Sequence, residues 1–214
     1  IGSNLTLEYN GERITVDVYS QEGLDLLSNL WIKSAAQHRL MYEPTWLGRP
    51  VIQFPTDIVM IQELLWMIQP DVVVETGVAH GGSLVLSASI LELIGKGKVI
   101  GVDIEIRPHT RTAIEAHPLK HRIELIEGSS VAAETLDAVQ KAVGNAKSVL
   151  VFLDSNHMES HVRQELELYA PLVTPGSYIV AHDGAQAWVW DIPNGKPEWK
   201  DDHPLNALHE FLES

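Results

Sequence analysis

The chain has 214 residues, which is enough for one substantial α/β domain, and its 45% hydrophobic and 21% charged residues are those of an ordinary globular protein. A formal net charge of −14 repels phosphate backbones, so we expect no nucleic-acid partner. The absence of cysteine excludes disulfides and thiolate metal sites and fits a reducing compartment, and we expect a cytoplasmic protein.

The first 54 residues predict an N-terminal hairpin and helical extension. Residues 5–16 alternate apolar and polar side chains around the turn Asn10-Gly11, which is a strong hairpin signal. A helical pattern follows at 22–36, and residues 41–57 are rich in Pro, Gly and aromatics and read as irregular. The chain starts without methionine, so we expect it to be trimmed. No signal peptide is visible and no apolar run reaches the roughly 18 residues of a membrane helix, so membrane attachment is not expected.

Residues 55–214 predict a second unit, in which strands and helices alternate. A helix with apolar spacing runs from Pro55 to Ile68. The alternation that follows predicts a mostly parallel, doubly wound sheet with helices on both faces. The segment between Asp183 and His203, with Trp188, Trp190 and Trp199, resembles a lid or pocket wall. The predicted strands are 72–76, 98–103, 122–126, 148–154 and 177–182, and the predicted helices are 83–95, 107–116, 130–143 and 158–170.

The turn after the first of these strands predicts a ligand site. Glu75, Gly77, Gly81 and Ser83 are spaced differently from the glycines that approach a pyrophosphate in dinucleotide enzymes. A ligand without phosphates does not need that approach, and S-adenosylmethionine is such a ligand, whose amine and sulfonium suit an acidic cleft. The alternative is an ordinary strand–helix turn, since glycines also punctuate loops.

Two further turns complete the predicted cofactor site. Asp103 ends the second strand, where a carboxylate can accept hydrogen bonds from both ribose hydroxyls. Ser129 and Ser130 follow the third strand, where their hydroxyls could bond an adenine edge. The alternatives are that Asp103 caps a helix and that Ser130 is the N-cap of the helix after it.

Acidic residues also follow the last two strands, at Asp154 and at Asp183, which His182 precedes. A carboxylate is costly to bury without a partner, and a divalent cation or a ligand amine would supply one. Two carboxylates suit Mg²⁺, whereas a histidine ligand tilts the preference toward Mn²⁺, Fe²⁺ or Zn²⁺. The alternative is a pair of loop-capping acids.

His157 is a candidate general base, because an unperturbed imidazole titrates near neutral pH. His161, one helical turn further on, is a rival for that role. The alternative for His157 is a solvated histidine in the first turn of a helix.

The chain resembles the cephalosporin hydroxylase family of S-adenosylmethionine-dependent methyltransferase-fold proteins, whose relatives include rhamnosyl and macrolide-sugar O-methyltransferases. The matching segments are 54–57, 70–77 with Val72-Val73-Val74-Glu75-Thr76-Gly77, 81–83, 102–104, 152–157 with Phe152-Leu153-Asp154-Ser155-Asn156-His157, and 170–180. The resemblance implies a Rossmann-like class I methyltransferase fold. It also implies a terminal β-hairpin after the helix that ends near Leu212, which we expect this chain to lack.

The resemblance extends to catechol-type O-methyltransferases, in which Mg²⁺ holds the substrate oxygens. It places Asp154 and Asp183 at metal-ligand positions and His157 at the position of the catalytic base. One departure is that these families carry two adjacent acidic or amide ligands after the fifth strand, whereas Asp183 here stands between His182 and Gly184. Either His182 replaces an oxygen ligand of the metal, or the site has lost one ligand.

These observations predict an S-adenosylmethionine-dependent, divalent-metal-assisted O-methyltransferase that acts on a hydroxyl of a small molecule, such as a sugar or natural product. The first alternative is a non-catalytic S-adenosylmethionine-binding partner protein, and the second is an enzyme on the same fold that does not methylate. We also expect a homo-oligomer, because an isolated two-stranded hairpin is marginally stable and must pack on something.

Overall fold

The computed structural model describes residues 2–9 and 11–213. Its N-terminal hairpin consists of two antiparallel strands, β1 (Asn4–Tyr9) and β2 (Glu12–Asp17), with Leu5 opposite Val16. The predicted hairpin is thus confirmed, although Asn10 of the predicted turn lies outside the described residues.

The helical extension begins with α1 (Gln21–Gln37), whose first turn is capped by Ser20: its Oγ accepts a hydrogen bond of 3.0 Å from the Gly23 N–H. A single 3₁₀ turn and two very short antiparallel strands, β3 (Thr45–Trp46) and β4 (Arg49–Pro50), follow. The prediction that residues 41–57 are irregular was therefore wrong at β3 and β4. Both strands are too short to show an alternating pattern.

The remainder of the chain forms a three-layer α/β unit around five parallel strands, which lie in the order β7 (Ile123–Glu127), β6 (Lys98–Asp103), β5 (Val72–Thr76), β8 (Val149–Leu153) and β9 (Ile179–Ala181). Both faces of the sheet are apolar: Val73, Val99 and Leu150 belong to one core cluster, whereas Val74 and Val151 belong to the other. This confirms the predicted doubly wound parallel sheet. In chain order the elements are α2 (Pro55–Ile68), β5 (Val72–Thr76), α3 (Gly82–Ile94), β6 (Lys98–Asp103), α4 (Pro108–Glu115), β7 (Ile123–Glu127), α5 (Ala133–Val143), β8 (Val149–Leu153), α6 (Glu159–Tyr169), β9 (Ile179–Ala181), α7 (Gln186–Val189) and α8 (Pro204–Glu213).

Two predicted boundaries differ from the structure. The helix predicted from residue 130 begins at Ala133 with Ala132 as its N-cap, because residues 129–132 form a turn in which the Ala132 N–H donates to the Ser129 carbonyl at 3.0 Å. The alternative interpretation of Ser130 as the N-cap was therefore wrong. The last predicted strand is shorter than expected, since only Ile179–Ala181 pair with β8.

Parallel strands point their carboxyl ends toward the same edge of the sheet. That edge therefore carries the turns that follow β5, β6, β7, β8 and β9, and with them most of the predicted site residues. Among the described residues, no helix has both the length and the apolar character to cross a bilayer.

Candidate active site

A cavity of about 520 Å³ opens at this edge of the sheet. Its floor is formed by the turns after β5 and β8, and its walls by the end of α1, the segment around Gln53 and the segment after β9. The predicted site residues Gly77, Ser83, Asp154, His157 and Asp183 line it.

The turn after β5 is fixed by a buried acid. Glu75 is only 3% exposed and accepts a short hydrogen bond from Ser83 Oγ, and burial raises the pKa of its carboxyl to about 7. Gly77 has φ 95°, and a Cβ there would lie 2.0 Å from the carbonyl oxygen of Asp154. Gly81, with φ 78°, is the N-cap of α3. The structure thus brings these four residues together. Glycine is required at position 77, because the turn after β5 lies there against the backbone that follows β8.

The carboxylate of Asp103 forms hydrogen bonds with the turn after β5. Its Oδ2 accepts hydrogen bonds from the N–H groups of Val78 at 2.8 Å and Ala79 at 3.2 Å, and its Oδ1 accepts one from Glu105 N–H at 3.2 Å. Asp103 does not line the cavity. Its visible role is to hold the turn after β5, and ribose binding stays a prediction.

Ser129 and Ser130 also lie outside the cavity lining. Ser130 is buried, its Oγ is 3.1 Å from Nε2 of His161, and its carbonyl accepts a hydrogen bond of 2.8 Å from the Tyr169 hydroxyl. These contacts join the turn after β7 to α6. The predicted adenine contact remains untested.

Asp154, His157 and Asp183 form a compact group whose potential ligand atoms all lie within 4.8 Å of one another. His157 Nε2 is 3.3 Å from Asp183 Oδ2. The pKa of Asp154 is raised well above its usual range, first by burial and then by the charges of Asp183 and Glu75. Two carboxylates and an imidazole at this spacing are a donor set that a divalent cation fits.

His182 is not a member of this group, although the sequence analysis assigned it there. Its Nδ1 lies 3.1 Å from Gln53 Nε2, and its ring packs edge-on against Phe152 with centroids 5.6 Å apart. Burial lowers the pKa of its imidazole to about 4, so the ring is neutral at physiological pH. The same Gln53 amide donates to Asp154 Oδ2 at 3.0 Å. Gln53 was missed because an isolated polar residue in an irregular segment gives no pattern.

His161, the rival of His157, faces a different environment. Its Nε2 lies 3.3 Å from Ser155 Oγ and 3.6 Å from Oε1 of the buried Glu165, besides its contact with Ser130. His161 does not line the cavity, whereas His157 does. Of these two histidines, His157 is therefore the one placed to meet a ligand in the cavity.

The segment after β9 forms a wall of the cavity, as predicted, but only Trp199 of its three tryptophans lines it. Trp188 is largely exposed, and Trp190 packs under Lys200, whose Nζ lies 5.4 Å from the ring centroid. Polar contacts tie this wall to α1, where Lys33 Nζ lies 2.6 Å from Asp191 Oδ1. In addition, Asn194 Nδ2 donates to the Gln37 carbonyl at 3.0 Å.

The five-stranded parallel sheet and its helices define the chain as a Rossmann-like class I S-adenosylmethionine-dependent methyltransferase fold. The family model described as Rhamnosyl O-methyltransferase/CmcI matches residues 38–214, and the chain belongs to this family. The resemblance found in the sequence is thereby confirmed.

Curated relatives share part of this chain. A rhamnosyl O-methyltransferase of Mycobacterium leprae (strain TN) is 30% identical over 141 residues, which are 65% of this chain and 59% of that protein. The protein of the same name from Mycobacterium tuberculosis (strain ATCC 25618 / H37Rv) is 30% identical over 142 residues, 65% of this chain and 56% of the relative. The chain thus spans less than two thirds of the length of these relatives.

Solved structures share the fold at low sequence identity. A CmcI structure with Mg and SAM has a TM-score of 0.57 at 18% identity and covers 80% of this chain and 66% of its own. MycE, a methyltransferase from the mycinamycin biosynthetic pathway solved with Mg and SAH, has a TM-score of 0.55 at 22% identity and covers 97% and 57%. An O-methyltransferase from Bacillus cereus in complex with SAH has a TM-score of 0.55 at 19% identity and covers 92% and 80%.

Proposed function

We propose that this chain carries the catalytic fold of an S-adenosylmethionine-dependent, divalent-metal-assisted O-methyltransferase. Its acceptor is a hydroxyl group of a small molecule, of the sugar or natural-product class. The observation that carries the proposal is the group of Asp154, His157 and Asp183 in the cavity beside the turn after β5. The family and the names of the relatives support the same activity.

The donor set supports a divalent cation. The pKa of Asp154 is raised first by burial and then by the charge of Asp183, and a cation bound beside both carboxylates would stabilise their ionised forms. The carboxylates of Asp154 and Asp183 are hard ligands suited to Mg²⁺. A cation bound there would act as a Lewis acid that lowers the pKa of an acceptor hydroxyl.

The turn after β5 supports the methyl donor. Glu75 does not line the cavity, but it accepts a hydrogen bond from Ser83, which does, and it thereby holds the turn that a cofactor would contact. S-adenosylmethionine supplies an electrophilic methyl group when bound. We further propose that Asp103 binds its ribose and that Ser129 and Ser130 contact its adenine, after adjustments of the contacts described above.

His157 is proposed to take the proton of the acceptor hydroxyl. The carboxylate of Asp183, with Oδ2 3.3 Å from His157 Nε2, can orient the ring. Replacing His157 with Ala is expected to lower turnover by roughly 10²–10⁴-fold if His157 is the base. Unchanged Mn²⁺ affinity in that variant distinguishes a base from a metal ligand.

The proposal is tested with p-nitrophenyl α-L-rhamnopyranoside and macrolide sugars as acceptors, with S-adenosylmethionine and Mg²⁺ or Mn²⁺. We expect a product heavier by one CH₂ and loss of that product with a chelator. A mass gain of one oxygen, or no change, would point to different chemistry on the fold. Binding of S-adenosylhomocysteine without metal binding or transfer would instead favour a non-catalytic partner protein.

We also propose that the protein is a cytoplasmic homo-oligomer, at least a dimer. The absence of cysteine supports a reducing compartment. Leu24, Leu27 and Trp31 follow one another at helical spacing on α1, and all three are exposed beside a hairpin that packs on this helix. These three side chains form an exposed stripe on α1. A second copy of the chain that packs against this stripe would bury it.

A further inference from the structure

Gln186 has a buried polar atom without a partner. The residue lines the cavity and is 9% exposed, and its buried Oε1 has no hydrogen-bond partner among the described residues. Such atoms are rare in proteins because burying one without a partner is unfavourable. The two other atoms of this kind, Glu165 Oε2 and Ser177 Oγ, belong to residues outside the cavity lining. Gln186 is thus the described residue at which a cavity ligand would satisfy a buried group.

The position of Gln186 is tied to the proposed metal group. It is the first residue of α7, and its backbone N–H donates to the carbonyl oxygen of Asp183 at 3.0 Å. Asp183 itself has φ 59°, a left-handed conformation that turns the chain sharply out of β9. Gln186 therefore follows the proposed metal ligand Asp183 by three residues, in a turn that this hydrogen bond closes.

The chemistry of this wall is that of a site for a neutral, hydroxylated ligand. All cavity-lining residues from 185 to 199 are uncharged, and they combine two amides, Gln186 and Asn194, with the ring of Trp199. A primary amide can accept from or donate to a hydroxyl, depending on its rotation. Aromatic rings bind the apolar face of such ligands. The only Lys or Arg among the described lining residues is Arg39, which belongs to the segment after α1.

We propose that Gln186 is a specificity-determining residue that binds a second acceptor hydroxyl, adjacent to the one that is methylated. The inference rests on the proposed methyltransferase function and narrows its substrate class to neutral molecules with neighbouring hydroxyls, such as a sugar ring. Gln186 positions the acceptor and takes no part in proton or methyl transfer.

The test compares Gln186→Leu with the wild type on p-nitrophenyl α-L-rhamnopyranoside and on the corresponding mono-deoxy rhamnosides. Loss of the Gln186 amide is expected to raise KM for the full rhamnoside about ten- to a hundredfold, since the substrate hydroxyl then lacks its hydrogen-bond partner. For the deoxy analogue that lacks the neighbouring hydroxyl, variant and wild type are expected to have the same KM. The matched control is Gln140→Leu, an exposed glutamine on α5, which should leave both values unchanged.

Two further measurements keep this inference separate from the proposed function. The affinity for S-adenosylhomocysteine should be equal in both variants, and the melting temperature of Gln186→Leu should not fall, because the variant loses an unsatisfied polar atom. If the wild type transfers no methyl group, calorimetric binding of the same rhamnoside replaces KM. Equal KM or equal binding in Gln186→Leu and the wild type, or no rhamnoside binding by either, would overturn the role of Gln186. Failure to bind S-adenosylhomocysteine would count only against the methyltransferase.

Discussion

At the scale of single residues, the burial of the Asp154 carboxyl near other acids is unfavourable for stability and suits a metal ligand. Its carboxyl is buried near three other acids and accepts a hydrogen bond from Gln53, and its pKa is raised well above the usual range by burial first. The change Asp154→Asn removes the charge and keeps the shape. We expect the unliganded variant to melt no lower than the wild type, while its Mn²⁺ affinity falls by at least about tenfold.

Thermal unfolding and Mn²⁺ titration by electron paramagnetic resonance check this expectation. Asp183→Asn is the matched comparison, because Asp183 is exposed and its change should weaken Mn²⁺ binding with a smaller gain in stability than Asp154→Asn. Wild-type Mn²⁺ affinity in Asp154→Asn would show that this carboxylate is not a ligand.

Glu75 predicts a pH dependence of stability. Its pKa rises from 4.5 to about 7 on folding, chiefly through burial, so the folded state binds the proton more tightly than the unfolded state. The resulting stabilisation is complete below pH 4.5 and is lost as the pH rises through 7, a difference of roughly 3 kcal/mol at about 1.4 kcal/mol per unit.

The change Glu75→Gln removes this titration and keeps an oxygen that can accept from Ser83. Relative to the wild type, the variant should therefore gain stability between about pH 4.5 and about pH 8. Urea unfolding of both proteins at the two pH values measures the gain. A constant difference between them would mean that Glu75 does not titrate in this range.

At the scale of elements, the wall of the cavity depends on its attachment to α1. The side chains of Lys33 and Asp191 are 15% and 20% exposed. Their ion pair connects two segments that are far apart in the sequence. Lys33→Met should lower stability by roughly 1 kcal/mol, and we expect faster proteolysis of residues 185–199 and a higher acceptor KM. Affinity for S-adenosylhomocysteine should be unchanged.

The control for this change is Lys98→Met, which removes an exposed ion pair of 2.7 Å with Glu124 between neighbouring strands. It should alter neither proteolysis of the wall nor the acceptor KM. Equal protection of residues 185–199 in Lys33→Met and the wild type would show that other contacts hold the wall.

The order of elements in the core could be predicted from the sequence, because short β-branched runs alternate with apolar helical patterns. The side-chain directions at strand ends could not. The His182 N–H donates to the Leu153 carbonyl at 2.9 Å, so His182 continues the alternation of β9 toward Phe152, while Asp183 leaves the strand with φ 59°. Adjacent residues therefore face different environments, which is why His182 lies outside the group of Asp154, His157 and Asp183.

Gly77 shows a related limit. The sequence predicted a ligand site at the turn that contains Gly77. The structure adds that a side chain there would collide with the backbone of Asp154, which no local pattern encodes because the two turns are distant in sequence. Likewise, the contacts of Gln53 and Gln186 depend on how segments meet in three dimensions.

At the scale of the whole molecule, the exposed stripe on α1 predicts the state of assembly. Light scattering at micromolar concentration should give at least a dimer, and Leu27→Asp should dissociate it, because a carboxylate cannot be buried in an apolar interface without a partner. Leu93→Asp is the matched control, since Leu93 is also exposed but lies on α3 and should not affect assembly. A monomeric wild type would contradict the expectation.

The order of the central sheet has a kinetic consequence. Val72 of β5 pairs with Lys98 on one side and with the much more distant Val149 on the other. Pairing over a longer loop is slower, so β5, β6 and β7 should associate before β8 and β9 dock. The turn after β5 belongs to the early half, whereas Asp154 and Asp183 belong to the late half. During refolding, hydrogen-exchange protection of β5 and β6 should thus precede the recovery of Mn²⁺ binding, which makes metal affinity a reporter of the last step of folding.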